Sequence, residues 1–142
     1  MIIQISGILL FVIFVLISGI HFYWAFGGKW GVDAALPSNG EGERVLKPRQ
    51  IDTFAVAAVF AGIGVFYLVM GTVVLIDLPL WMPKYLGWIF PFVFLIRAVG
   101  DFKYLGIFKK EKRSLFAQLD TKYYSPLCLF ITFLAVLVQV FR

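Results

Sequence analysis

"KYLGWIFPFVFLIRAVGDFKYLG", from Lys84 to Gly106, is the stretch on which the fold turns. Only Tyr85 to Ile96 separates its first cation from Arg97. That is little more than half of the roughly 20 apolar residues a membrane-crossing helix needs. To cross, the helix has to carry Arg97 inside or at its end and run on toward Tyr104. Pro91, which lacks a backbone donor, is expected to bend it midway. The alternative is a re-entrant segment that enters and leaves on one side.

The flanking sequence favours crossing. Met1 to Gly28 contains no Lys, Arg, Asp or Glu, and neither does Thr53 to Ile76. Tyr123 to Phe141 is a further apolar run, with Pro126 in what reads as its first turn, where a missing N–H costs little. With the Lys84 stretch this predicts four helices, over residues 2–27, 52–76, 82–104 and 123–141. Two long loops, 28–51 and 105–122, connect them at one end. The first run has no basic residues ahead of it and bulky aromatics after it, so it reads as a retained helix rather than a cleavable signal. The chain is 61% hydrophobic and 15% charged, with mean hydropathy +0.92. A core of this size cannot hide such an apolar excess, so lipid is the natural solvent for the remainder. The expected fold is all-α: an integral membrane bundle of four transmembrane helices in one domain, residues 1–142.

Charge sets the expected orientation. Of the thirteen Lys and Arg, all but Lys84 and Arg142 lie in the two long loops or at Arg97 and Lys103 beside the second of them. The positive-inside rule then puts both long loops in the cytoplasm and both termini outside. Trp24 and Trp30 mark one interface and Trp81 and Trp88 the other. The net charge of +5 does not imply nucleic acid, because no zinc-ligand set, basic helix or aromatic-sheet motif accompanies it. Anchoring on anionic headgroups is the simpler reading of the basic loops. "KKEKR", Lys109 to Arg113, reads as a solvated, lipid-facing patch. The single Cys128 allows no internal disulfide. Helix two spaces Ala57 and Ala61, then Ala58 and Gly62, four apart, a pattern for close helix packing inside the monomer or at a dimer seam.

The polar inventory converges on the loop-bearing end. "HFYWAFGGKWGVDAALP" (residues 21–37) places His21 and Trp24 on one helical face, with Gly27 and Gly28 ending the helix and Lys29, Trp30 and Asp33 following. In "RAVGDFKYLGIFKK", Arg97, Asp101 and Tyr104 fall on one face at spacings of four and three. In "FAQLDTKYYSPLC", Asp120 is set as an N-terminal cap or anchor just ahead of the last helix, with Tyr124 and Ser125 just beyond. Each residue also has a plain structural role. His21 can bond a neighbouring helix. Arg97 can snorkel to headgroups or pair with Asp101 or Asp33. Trp24 and Trp30 can be belt residues.

These three motifs together resemble a family of small four-helix bacterial membrane proteins classed as a domain of unknown function. The resemblance covers nearly the whole chain. It implies the four-helix fold and a multi-pass setting in the bacterial cytoplasmic (inner) membrane, and it supplies no catalytic residue.

HExxH, CxxC, P-loop and GxSxG patterns are all missing from the sequence, and one histidine cannot give bis-histidine haem ligation. No catalytic residue, metal set or cofactor is therefore expected. The leading expectation is a binding, even transporting, protein for an anionic small molecule or lipid headgroup. Its pocket would draw on His21, Trp24, Lys29, Trp30, Asp33, Arg97, Asp101, Tyr104, Asp120 and Tyr124. A structural or accessory subunit of a membrane complex is the second reading. A membrane enzyme acting on a lipid or quinone through His21 is the third, and the balance leans away from catalysis. Besides the bilayer, the partners left open are a second copy of the chain and another membrane protein.

Overall fold

The computed structural model of the chain describes residues 1–39, 41–72 and 78–142. These residues form helices and connecting loops, with no strand among the described residues. Helix α1 spans Ile2–Ala25, the short α2 Val32–Ala35, and α3 Gln50–Gly71. A continuous helix α4 spans Met82–Val99 and a long α5 spans Leu115–Phe141. Four of them, α1, α3, α4 and α5, are long and apolar enough to cross a membrane. The first turn of α4, Met82–Leu86, and a turn inside α5, Asp120–Tyr124, are widened to π geometry.

Several expected boundaries move, each for a local reason. Helix α4 stops at Val99 rather than 104, because Gly100 takes φ 89° and turns the chain out of the helix. It remains an uninterrupted helix despite Pro91, and at 1.5 Å per residue its length is about 27 Å. Helix α5 starts at Leu115 rather than 123. Ser114 is its cap, accepting the Ala117 N–H at 3.1 Å. Pro126 therefore lies well inside the helix, directly after the π turn in which the Ser125 N–H reaches back to the Asp120 carbonyl. The wider turn re-routes backbone bonding just where proline removes a donor. Helix α3 begins at Gln50 and ends at Gly71, and the rest of the expected second helix, 73–76, lies outside the described residues.

The bundle is two antiparallel hairpins, α1 with α3 and α4 with α5, joined mainly through α1 against α5. The core packs Leu10 and Phe14 of α1 against Ile63, Tyr67 and Met70 of α3, Phe94 of α4 and Ile131 of α5. Phe14 is its centre, with ring centroids 5.3 Å from Phe94 and 6.2 Å from Tyr67. The α1–α3 contact is closest at two glycines. A Cβ added to Gly7 would lie 2.6 Å from the Gly71 Cα, and one added to Gly71 would lie 2.7 Å from the Gly7 Cα. Nearer the loop end, the Ser18 hydroxyl donates to the Ala57 carbonyl at 2.8 Å.

The alanine–glycine spacing in α3 plays a smaller part than expected. Ala57 is buried, but Ala58 and Gly62 face outward, and a Cβ at Gly62 would touch nothing among the described residues. Outward faces of all four long helices carry large apolar side chains, among them Leu16, Val59, Phe92 and Phe133. Such a surface is suited to hydrocarbon rather than water.

Candidate functional site

The centre of the loop-bearing end is Asp120, whose side chain is fully buried. One carboxylate oxygen, Oδ1, accepts from Arg97 Nη2 at 2.9 Å and from the Ser125 hydroxyl at 3.2 Å. The other, Oδ2, accepts from the Gly106 N–H at 2.7 Å and from Lys109 Nζ at 3.1 Å. Lys109 is itself buried and also donates to the Gly106 carbonyl at 2.9 Å and to Thr121 Oγ1 at 2.6 Å. One carboxylate thus ties together α4, the loop between α4 and α5, and α5.

Local backbone makes this arrangement accessible. Gly100 and Gly106, at φ 89° and 85°, let the two ends of a tight loop touch; a Cβ on either would collide with the other's strand of backbone. The Ile107 N–H returns to the Ala98 carbonyl at 2.9 Å, which carries Lys109 back over the end of α4. The π turn at Asp120–Tyr124 rotates Asp120 inward from a helix that continues apolar on either side.

Three expectations are corrected here. Asp120 is not an N-terminal cap, since the helix begins earlier at Ser114. Arg97 does not pair with Asp101 or Asp33, because Gly100 ends α4 before Asp101 can stay on its face, and Asp120 takes the guanidinium instead. Lys109 does not belong to the solvated patch, whereas Lys110, Lys112 and Arg113 are exposed.

The other expected residues form separate groups. Asp33 is exposed and pairs with Arg44, whose Nε lies 3.0 Å away. Asp101 accepts the N–H groups of Lys103, Tyr104 and Leu105 at 2.7–2.9 Å. Its partial desolvation opposes ionisation, but those backbone donors prevail and hold the carboxyl below the usual value of 3.8. Asp101 and Tyr104 line an open groove of about 520 Å³ with Phe102, Lys103, Lys110 and, from the first loop, Asn39.

His21 bonds its own helix: Nδ1 lies 2.7 Å from the Ile17 carbonyl. A carbonyl only accepts, so Nδ1 is the donor in this bond. The ring packs 5.0 Å from Trp24 and 5.2 Å from Phe60. Trp24 donates to the Trp30 carbonyl at 2.8 Å, while the indole of Trp30 is exposed, as is Lys29. Tyr124 donates to the Ala34 carbonyl at 3.0 Å and so docks α2 on α5. Of the expected set, only Arg97 and Asp120 are joined directly by a side-chain bond across elements of the hub. Lys109, Gly106 and Thr121 belong to it and were not anticipated.

Within the hub, two cations share one carboxylate. Arg97 makes one bond to it, and its buried Nη1 has no partner among the described residues. No group of His, Cys, Asp and Glu suited to a metal ion occurs among the described residues.

Residues 14–135 match the protein family of unknown function DUF3995. The chain belongs to that family. No curated protein and no solved structure matches the chain. The DUF3995 match takes in both long loops, the whole Asp120 hub and most of the core, with Leu10 and Val138 lying outside it.

Proposed function

We propose that this DUF3995 protein is a multi-pass protein of the bacterial cytoplasmic membrane that binds an anionic group at the cytoplasmic end of its bundle. Both long loops then lie in the cytoplasm and both termini outside, following the excess of loop cations. Residues Asp120–Phe141 of α5 extend about 33 Å at the helical rise, close to the roughly 30 Å hydrocarbon thickness. Asp120 accordingly sits near the boundary between hydrocarbon and headgroups, where a phosphate or carboxylate is within reach.

The observation that carries the reading is the unpartnered buried Nη1 of Arg97 in a cluster with one more cation than anion. A guanidinium presents a planar fork that suits phosphate or carboxylate, and a buried N–H without an acceptor is costly. An incoming anionic oxygen would satisfy it. The anion is the headgroup of a lipid or a free metabolite.

Arg97→Lys tests this while retaining a cation for Asp120. Purified protein is heated with inorganic phosphate or with short-chain phosphatidylglycerol, and bound lipid is read by native mass spectrometry. The wild type should be stabilised by one of the two, and Arg97→Lys should lose that shift while unfolding near the same temperature without additive. Stabilisation by the lipid alone identifies a headgroup, and by phosphate a free anion. No shift with either removes the binding reading.

The saturation of Asp120 favours one further reading, an accessory subunit in which the hub only shapes a docking face. It predicts co-purification with a membrane partner and no response to either anion. Catalysis through His21 gains less support: the loop carboxylates Asp33 and Asp101 are engaged by Arg44 and by backbone N–H groups.

A further inference from the structure

We infer that the loop between α4 and α5, Gly100–Ser114, is a rigid interfacial anchor for anionic lipid. Its surface pairs exposed aromatics with exposed cations. Phe102, Ile107 and Phe108 are all exposed, and the two phenyl rings lie 6.4 Å apart. Around them stand Lys103, Lys110, Lys112 and Arg113, all exposed.

The loop's two acids do not neutralise those cations directly. Asp101 is turned to three backbone N–H groups, and Glu111 accepts from the Arg113 N–H at 2.8 Å. The exposed surface is therefore a cationic field around an apolar centre, which complements a layer of anionic headgroups over hydrocarbon. A soluble acidic partner would match the charges but leave the two phenyl rings unaccounted for.

The loop is also built to hold that surface in shape. Asp120 accepts the Gly106 N–H, the Ile107 N–H meets the Ala98 carbonyl, and the Glu111 N–H meets the Lys103 carbonyl at 2.9 Å. Phe102 stands at φ 62°, a left-handed conformation that a bulky residue rarely adopts. A loop fixed in this way inserts its rings without first having to be ordered. The inference concerns the exposed side chains of this loop rather than the Arg97 fork and goes beyond anion binding there.

The test uses the full chain in vesicles with an environment-sensitive fluorophore on Phe108→Cys, a solvent-exposed position; Cys128 is buried and stays unlabelled. Vesicles are pure phosphatidylcholine or a roughly 7:3 mixture of it with anionic phosphatidylglycerol. A spin label near the headgroup should quench the fluorophore several-fold more in the anionic vesicles. Replacing Lys103, Lys110, Lys112 and Arg113 by Gln should abolish that difference, whereas Arg97→Lys should keep it. A fluorophore unquenched in both vesicle types, or quenched equally in both, overturns the inference.

Discussion

The α1–α3 hairpin closes on glycine against glycine and ring against ring, whereas the α4–α5 hairpin is fastened at one end by a carboxylate shared between two cations. The first contact is distributed along the helices, from Gly7 and Gly71 to Phe22 and Phe54. The second is concentrated at Asp120, with Arg97, Lys109, Gly106 and Ser125 around it. Close packing is the main force available between helices in lipid, and it degrades gradually with each misfit. A buried charge cluster behaves differently. It contributes little over a well-packed apolar substitute, yet losing one member leaves the others uncompensated. The difference predicts which substitutions the protein tolerates.

The largest effect should follow from Asp120→Asn, which keeps the side-chain volume but strands Lys109 and Arg97. Breaking a buried pair in this way costs about 3–5 kcal/mol, measurable as unfolding free energy in mixed micelles. A loss no greater than that of an exposed substitution would make the hub incidental.

Next comes Gly71→Val in the other hairpin. The added methyls meet the Gly7 backbone, and overpacking of this kind costs about 1–3 kcal/mol. Gly62→Ala on the same helix should not destabilise and should gain up to about 1 kcal/mol from helix propensity, since its Cβ meets nothing within 4 Å among the described residues. Equal effects at the two glycines would erase the proposed role of the Gly7–Gly71 contact.

These contrasts also separate what the sequence displays from what it conceals. Four long apolar helices are legible because charge-free runs such as Met1–Gly28 leave no other solvent for their surface. Even the Lys84 stretch yields, since Arg97 can close the helix once a partner is available. The ends are harder. Gly100 looks like one more small residue in "RAVGD", but its left-handed backbone removes Asp101 from the helical face on which spacing had placed it. Ser114 before "LFAQL" is a legible cap that the lone charge of Asp120 obscured. The burial of Lys109 has no local signal at all. It follows from Gly106 folding back on Gly100, a contact that exists only in three dimensions. Nor does the spacing of Ala58 and Gly62 reveal that the close approach occurs instead at Gly7 and Gly71.

The smallest effect concerns the loop rather than either helix contact. Backbone donors lower the Asp101 carboxyl in the folded chain, so its contribution is present above 3.8 and is lost as pH falls through the lowered value. Amide resonances of Lys103, Tyr104 and Leu105 should titrate with a midpoint below 3.8. A midpoint above 3.8 would mean that those hydrogen bonds do not hold in solution.

The most direct test of the Asp120 hub is a double-mutant cycle with Asp120→Asn and Lys109→Met, read as unfolding free energy. If the two groups share one buried site, adding Lys109→Met to Asp120→Asn removes the stranded ammonium. The double variant should then be more stable than Asp120→Asn alone, with a coupling of about 0.5–3 kcal/mol. If the two losses simply add, Lys109 is not coupled to Asp120, and the carboxylate shared between two cations is contradicted.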